Sequence, residues 1–420
     1  MLFYKIKGDD VTMGKKSNLK QGQKKFNFLG RVNLESKGTN VRIDGIADSG
    51  YVYNSMKLML DTGNGNSVKV ETFGGYFPED HARDTLLYLN RENWSDGQVK
   101  LDFFKRNKEK IIEQLGIAKS NYLHAGMEFG KGDTYPVAKE FLSEYDLIEY
   151  VNEHLHDGDI VSVSGTIEPN IYNGVGKKFI VEYISKRKES VLEKKLANGK
   201  TEDELKGKSI DDLFYANFTE TLYFTNDSVG RKDKDTGEYP VKAYSVDYLA
   251  KIDGKNFKKV KAVPTGYVLG NEKMKKYLTS SRGKINKVTV DGRIINKSQE
   301  KKLSYDELDE DVRSLIDDGL ITKEDAIGKA TVFGGFISKR YIDMITIYTK
   351  KDDDGNVKQD VQYFKDFADS EELFDMVLDV DEPEIADLNE DYNGEDEDII
   401  DSIDEDTEED ADLEDILAGL

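Results

Sequence analysis

Apolar and polar residues alternate with a period of two through much of the first 365 positions, and the alternation carries a recurring interruption. The pattern is apolar, any, apolar, any, Gly, any, apolar. It reads Phe26-Phe28-Gly30-Val32 in FNFLGRV, Val41-Ile43-Gly45-Ala47 in VRIDGIA and Val161-Val163-Gly165-Ile167 in VSVSGTI. It returns as Val288-Val290-Gly292-Ile294 in VTVDGRI and as Ala330-Val332-Gly334-Phe336 in ATVFGGF. A period of two puts the apolar residues and the glycine on one face of a strand. A glycine inside such a strand marks a bulge or a sharp bend, as at the corner of a small barrel. Five occurrences in one chain point to coiled strands of small, strongly bent barrels.

The order of elements narrows the fold. The pattern predicts strands at 26–34, 40–47, 55–60 and 67–73, with TGNG as a hairpin turn between the last two. Phe141, Leu142, Tyr145, Ile148, Val151 and Leu155 recur at helical spacing and predict a helix over 136–156, ended by Asp157-Gly158. Strands follow at 159–167 and 177–184. Strands, a helix before the fourth strand and a closing hairpin make the order of an OB-fold. The expected first domain is therefore 26–187, with an insertion at about 78–135. The second half predicts strands at 216–225, 240–252, 256–269 and 286–296, a helical pair at 304–327, and strands at 329–338 and 340–348. A second β-rich, OB-like domain over 213–365 is expected, although strand 286–296 has no obvious place in a minimal barrel. The class is mainly β with some helix, an α+β arrangement of OB-like small barrels with insertions.

Polar segments frame these domains. Residues 11–25 hold five Lys and no acid, so 1–25 reads as a basic arm. Residues 188–212 read as a linker in which Val191, Leu192 and Leu196 form a short helix that Gly199 caps. Residues 366–420 hold 26 acidic residues and no Lys or Arg, and read as a mostly disordered tail. One helical turn or two is expected at 369–380. The net charge of −23 therefore divides unevenly, since residues 1–365 carry a net +3. A near-neutral body with a polyanionic tail is a prior for nucleic-acid work or for a tail that docks on partners.

Several classes fall away. The chain has no Cys, which excludes thiolate metal sites, disulfides and Cys nucleophiles. MLFYKIKGDDVTMGKK has no apolar signal-peptide core, no run of apolar residues is long enough to span a membrane, and a cytoplasmic protein is expected. GYVLGNEKMKK is not a phosphate loop, and neither HExxH nor GxSxG occurs. His154 and His156 are two apart and do not face each other on a helix. Asp352-Asp353-Asp354-Gly355 lacks the spacing of a calcium loop and reads as a hairpin turn. No enzyme, metal or cofactor is expected.

Binding signals are richer. There are 19 Phe and 23 Tyr, and many lie beside basic residues. Arg31 lies opposite Phe26 and Phe28 on its strand, and Arg42 lies in VRIDGIA. Tyr51 and Tyr53 precede Lys57. Lys69 precedes Phe73, Tyr76 and Phe77. Tyr172 precedes Lys177 and Lys178 on a hairpin. In the second half Arg293 follows Gly292, and Phe333, Lys339, Arg340 and Tyr341 cluster. Single strands need cationic grooves for phosphates and aromatic faces for stacking, and this set supplies both residue types. Aromatic residues on strands are more often core, as expected for Phe26 and Phe28. Tyr51, Tyr53 and Tyr172, beside turns, are the stronger stacking candidates.

An OB-like body followed by a long acidic tail ending in DADLEDILAGL resembles the single-stranded DNA-binding proteins of bacteria and their phages, and a phage-encoded version most. The resemblance implies sequence-independent binding and protection of single-stranded DNA in replication, recombination and repair. It also implies a tail tip, here Asp412, Glu414, Asp415, Ile416, Leu417 and Leu420, that docks on replication and recombination proteins. The departures are the greater length, the missing Pro-Phe end and the absence of a matching body motif. The alternatives are a β-rich structural or virion protein without nucleic-acid binding, a DNA mimic, and an OB-containing enzyme. Oligomeric state is left open.

Overall fold

The strongest alternation becomes strand. The computed structural model describes residues 21–378, apart from 82–84, 91–97, 107–121, 172–174, 235, 253–254, 280–281, 303–304, 306–307, 324–325, 327–330, 352–356, 362, 370–372 and 375. The first half opens with β1 (Lys24–Asn33), β2 (Asn40–Ile46), β3 (Val52–Asp61) and β4 (Ser67–Tyr76). The hairpin β5 (Leu86–Asn90) and β6 (Gln98–Asp102) follows, then β7 (Leu123–Glu128) and β8 (Val137–Phe141). The helix Glu144–His154 precedes β9 (Ile160–Ile171) and β10 (Val175–Lys186). On β3 every second residue is buried, with Met56, Leu58 and Leu60 inside.

Pairing closes five of these strands into a barrel. β1 runs antiparallel to β3 and β9, β3 to β4, and β9 to β10. β4 and β10 meet in parallel at Glu71 and Ile180. The circuit β1-β3-β4-β10-β9, with a helix between its third and fourth strands, is that of an OB-fold. β2 is added outside β3, and β7 and β8 are added beyond β10. Gly165 on β9 lies opposite Phe26, and a Cβ there would collide with the Ile180 carbonyl oxygen, so the bend of the barrel requires glycine.

The second half repeats the circuit. Its strands are β11 (Tyr215–Phe224), β12 (Tyr239–Ile252), β13 (Lys255–Leu269), β14 (Lys284–Lys302) and β15 (Thr331–Ile345). β11 pairs with β12 and β14, β12 with β13, β14 with β15, and β13 with β15 in parallel. Strand 284–302 thus takes fourth place in a complete five-strand barrel, the position it lacked in the sequence reading. Its Gly292 lies opposite Phe218 and meets the Tyr341 carbonyl oxygen as Gly165 meets that of Ile180. β16 (Ile347–Lys351) and β17 (Val357–Val361) make a separate hairpin, and β18 (Tyr363–Asp369) pairs with β14. The barrels join through β1 and β11, antiparallel with Phe26 opposite Phe218, and one buried cluster runs through both.

Several sequence expectations change. The helix expected over 136–156 is confined to Glu144–His154, because Ser143 caps it by accepting from the Tyr145 N–H. Val137–Phe141 pairs instead with β7. The expected pair of helices at 304–327 contains the helix Glu310–Asp317 and lies before β15, not between the third and fourth strands. The two strands expected at 329–348 are the continuous β15 followed by β16. Within 188–212, the helix Glu189–Ala197 packs Leu192 with Leu29, Ile160 and Phe214, so this segment is seated on the first barrel. Gly199 follows it with φ of 71°.

Both ends of the body also differ from expectation. Lys24, placed in the basic arm, is part of β1 and pairs with the buried Asp247; residues 1–20 lie outside the described ones. At the other end the folded body continues past 366. After β18, Leu373, Phe374 and Met376 are helical, as the turn expected at 369–380 had it, and with Val377 and Leu378 they form a strap that meets β13 at Ala262. Val377 bridges Ala262 in parallel, and the Leu378 N–H donates to the Ala262 carbonyl at 2.9 Å. Leu373 and Leu378 are buried. Residues 379–420, with the expected tail tip, lie outside the described ones.

Candidate nucleic-acid interface

An OB barrel binds oligonucleotides on the outer face of its second and third strands, flanked by the loops after strands one and four. In the first barrel those strands are β3 and β4. Their even-numbered residues fill the core, so the odd ones face outward. Tyr53, Ser55, Lys57 and Met59 line β3, and Lys69, Glu71 and Phe73 line β4. The register sets Ser55 against Phe73, Lys57 against Glu71 and Met59 against Lys69. These seven side chains are half-buried.

The aromatic part of this face is a ladder. The Tyr53 and Phe73 rings lie 5.4 Å apart, Phe73 and Tyr51 6.2 Å, and Tyr51 and Phe77 5.1 Å. Tyr53 lies across β2 at Gly45, where a Cβ would come within 2.7 Å of its hydroxyl oxygen. Tyr51 is the buried rung, packed with Ala47 and Phe77. Burial, followed by the charge of Glu144, pushes its phenol well above the usual tyrosine value. Tyr51 therefore supports Phe73 and is not itself a stacking face, a correction to the sequence reading. The cationic part is Lys57, Lys69 and Lys178. Lys178 reaches the face from β10 and lies 3.3 Å from Glu71.

Other expected residues lie elsewhere. Arg42 shares a strand face with Asp44, which is paired with Asn54, and donates to Asn54 at 3.0 Å; Glu149 of the helix is 3.5 Å away. It is thus turned toward the helix. Tyr76 also leaves the face, stacking 4.5 Å from Phe103 and edge-on to Tyr145. Arg31 ties the end of the barrel together, donating to the Gly158 carbonyl at 3.0 Å and to Glu189 at 3.1 Å. Tyr172 lies outside the described residues, as does the side chain of Phe333.

Lys177 points away from its neighbour Lys178 and into the joint between the barrels. Its ammonium is buried against Glu220, and it donates to the Tyr267 hydroxyl at 2.9 Å. Tyr267 in turn donates to Glu220 at 2.7 Å. Burial drives the Lys177 pKa down against the pull of Glu220, and drives that of Tyr267 up. Arg340 stands 5.9 Å over the same ring. Lys24 and Asp247 form a second pair nearby, with Ser245 donating to Asp247 at 2.6 Å. Lys24 and Lys177 hold the joint and Arg340 lies over the Tyr267 ring, which removes Lys177 and Arg340 from the expected groove. The sequence offered no signal for this network, because its partners lie far apart in the chain.

On the second barrel, Arg293, Lys339 and Tyr341 form a patch on the fourth and fifth strands. Arg293 lies 4.8 Å over Tyr341 and pairs with Asp343. Glu238 accepts from Tyr341 at 2.6 Å and from Lys339 at 2.7 Å. Burial and the bond to Glu238 push the Tyr341 phenol up to about 12. Among the described residues no cluster of three or more His, Asp or Glu is arranged to hold a metal ion, and no helix is long and apolar enough to cross a membrane.

No protein-family model and no curated protein matches the chain. Among solved structures, the wild-type single-stranded DNA binding protein from Thermus aquaticus is similar at 11% identity and a TM-score of 0.28, over 66% of this chain and 87% of that one. A deletion mutant of that protein gives 10% identity and a TM-score of 0.26, over 66% of this chain and 88% of that one.

Proposed function

We propose that the chain binds single-stranded DNA without sequence preference, on the outer face of β3 and β4. The observation that carries this reading is one composite surface. Tyr53 and Phe73 offer ring faces and Lys57 and Lys69 offer cations on the second and third strands of a closed OB circuit, and Lys178 joins them from β10. Stacking on an aromatic face is tolerant of base identity, and lysines neutralise phosphates irrespective of sequence. A site of this kind coats and protects strands and needs no cofactor or catalytic group.

The expected role is in DNA replication and recombination, with the acidic tail and its Ile416-Leu417-Leu420 tip recruiting replication proteins. Titration of labelled oligo-dT against a duplex of equal length tests the reading. Preference for the single strand at equal salt is expected, with log affinity falling at a slope of about −0.7 per phosphate neutralised. Equal affinity for duplex and single strand rules it out.

A further inference from the structure

The second barrel owns the same outer face, and the chain covers it with itself. On β11 and β12, Tyr223 pairs with Tyr244, and Lys287 of β14 lies 5.7 Å from the Tyr223 ring. Val246 and Ala262 complete the surface on β12 and β13. Two aromatic rings beside a lysine are also what the β3–β4 face displays, in Tyr53, Phe73 and Lys57. Here they are buried: Tyr223 is 0% and Tyr244 8% exposed. The cover is the strap, whose Leu373 packs with Tyr223, Tyr244, Val246, Ala262 and Ile285.

The strap is short for the cover of a core face: the helical residues Leu373, Phe374 and Met376 are followed by the bridging Val377. The Leu378 N–H donates to the Ala262 carbonyl beside the Val377 bridge, and Leu373 and Leu378 insert their side chains. Phe374 remains 55% exposed. Its sequence, SEELFDMVL at 370–378, has two acids ahead of the apolar residues and one, Asp375, among them. Leu378 ends beside Ile171 and Val175, the two ends of the first barrel's β9–β10 hairpin. The cover of one face is therefore fastened next to the loop that flanks the other.

We propose that the outer face of β11, β12 and β13 is a second site for single-stranded DNA, and that residues 373–378 are its displaceable cover. A strand that fills the β3–β4 face and passes the β9–β10 hairpin meets the strap at Leu378. It then competes with Leu373 for the tyrosines beneath, its phosphates coming beside Lys287. Short strands occupy one barrel, and longer strands lift the cover and occupy two. The proposal rests on the binding function assigned above.

The test exploits the absence of native cysteine. Ala262→Cys with Val377→Cys places a thiol on each residue of the bridge, roughly 5 Å apart, and oxidation locks the strap shut. Nucleotides covered per chain are measured on long oligo-dT with the lock closed and then reduced. Reduction is expected to raise coverage about twofold, toward two OB sites in place of one, while affinity for an oligonucleotide of about eight nucleotides stays the same. Leu373→Asp with Leu378→Asp is expected to give the higher coverage without reduction. Equal coverage by the locked and reduced protein overturns the proposal. If no form binds oligo-dT, the binding function itself fails, and the cover with it.

Discussion

The two barrels share a circuit and an inner pattern but differ on the face that matters. On β3 and β4 the outward residues mix rings and charges, and stay half-buried. On β12 the run Ala243–Asp247 is buried at every position, so both faces of that strand are covered. A strand buried on both faces tolerates no charge without a partner, which is why Asp247 is matched by Lys24 and Ser245. The contrast shows that a repeated fold need not repeat an open surface. What decides is whether the rest of the chain lies across it.

The largest expected effect tests the joint that keeps the barrels in register. Glu220→Ala leaves Lys177 buried without its acid and should cost about 3–5 kcal/mol of stability in chemical unfolding. A much smaller loss would mean that the barrels stand independently. Next, Tyr53→Ala and Phe73→Ala should each weaken binding of a short oligo-dT by about 1–3 kcal/mol. Tyr244→Ala should instead lower the melting temperature and leave short-strand affinity unchanged. If Tyr244→Ala weakens short-strand binding as much as Phe73→Ala, the two faces are not distinct.

A finer measure is the salt slope. Replacing Lys57 and Lys69 by Gln should reduce its magnitude by about 0.7 each where both meet phosphates. The smallest effect is on the second-barrel patch. Burial works to raise the Glu238 carboxyl, but the bonds from Lys339 and Tyr341 outweigh it and hold the group below its usual value. Its contribution is therefore present above the unfolded pKa, about 4.3, and lost as pH falls through the folded one. Glu238→Gln should cost about 1 kcal/mol at pH 7, and the difference from the parent should vanish on acidification. A difference that persists at low pH would assign the effect to packing.

Much of this was legible in the chain. The period of two marked the strands, and the glycine interruptions marked the bends, because both follow from local geometry. Tyr53, Lys57, Lys69 and Phe73 were legible as a set because one strand face alternates with a buried one. Arg42 and Tyr76 were misplaced because their side depends on hairpin register and on an insertion that supplies Phe103. Lys177 and Lys178 are adjacent and necessarily point opposite ways; which one meets solvent is decided by a second barrel some 40 residues onward, at Glu220. Residues 137–141 satisfied a helical spacing as well as a strand one, and only pairing with β7 chose between them. The strap was half legible: a helical turn was expected at 369–380 and Leu373, Phe374 and Met376 are helical, but its acids assigned it to the tail and hid its seat on β13.

The joint between the barrels has a polarity. Phe26 opposite Phe218 is a pairing of equivalent first strands, the arrangement that a symmetric dimer of half-chains would adopt. Yet both lysines paired across it, Lys24 and Lys177, come from the first half, and both acids that receive them, Glu220 and Asp247, come from the second. A half-chain meeting its own copy there would set like charges together in a dry interface. Each half is thus fitted to recognise the other and to refuse itself. The chain carries, within one polypeptide, the discrimination that separate subunits need to avoid assembling with the wrong partner.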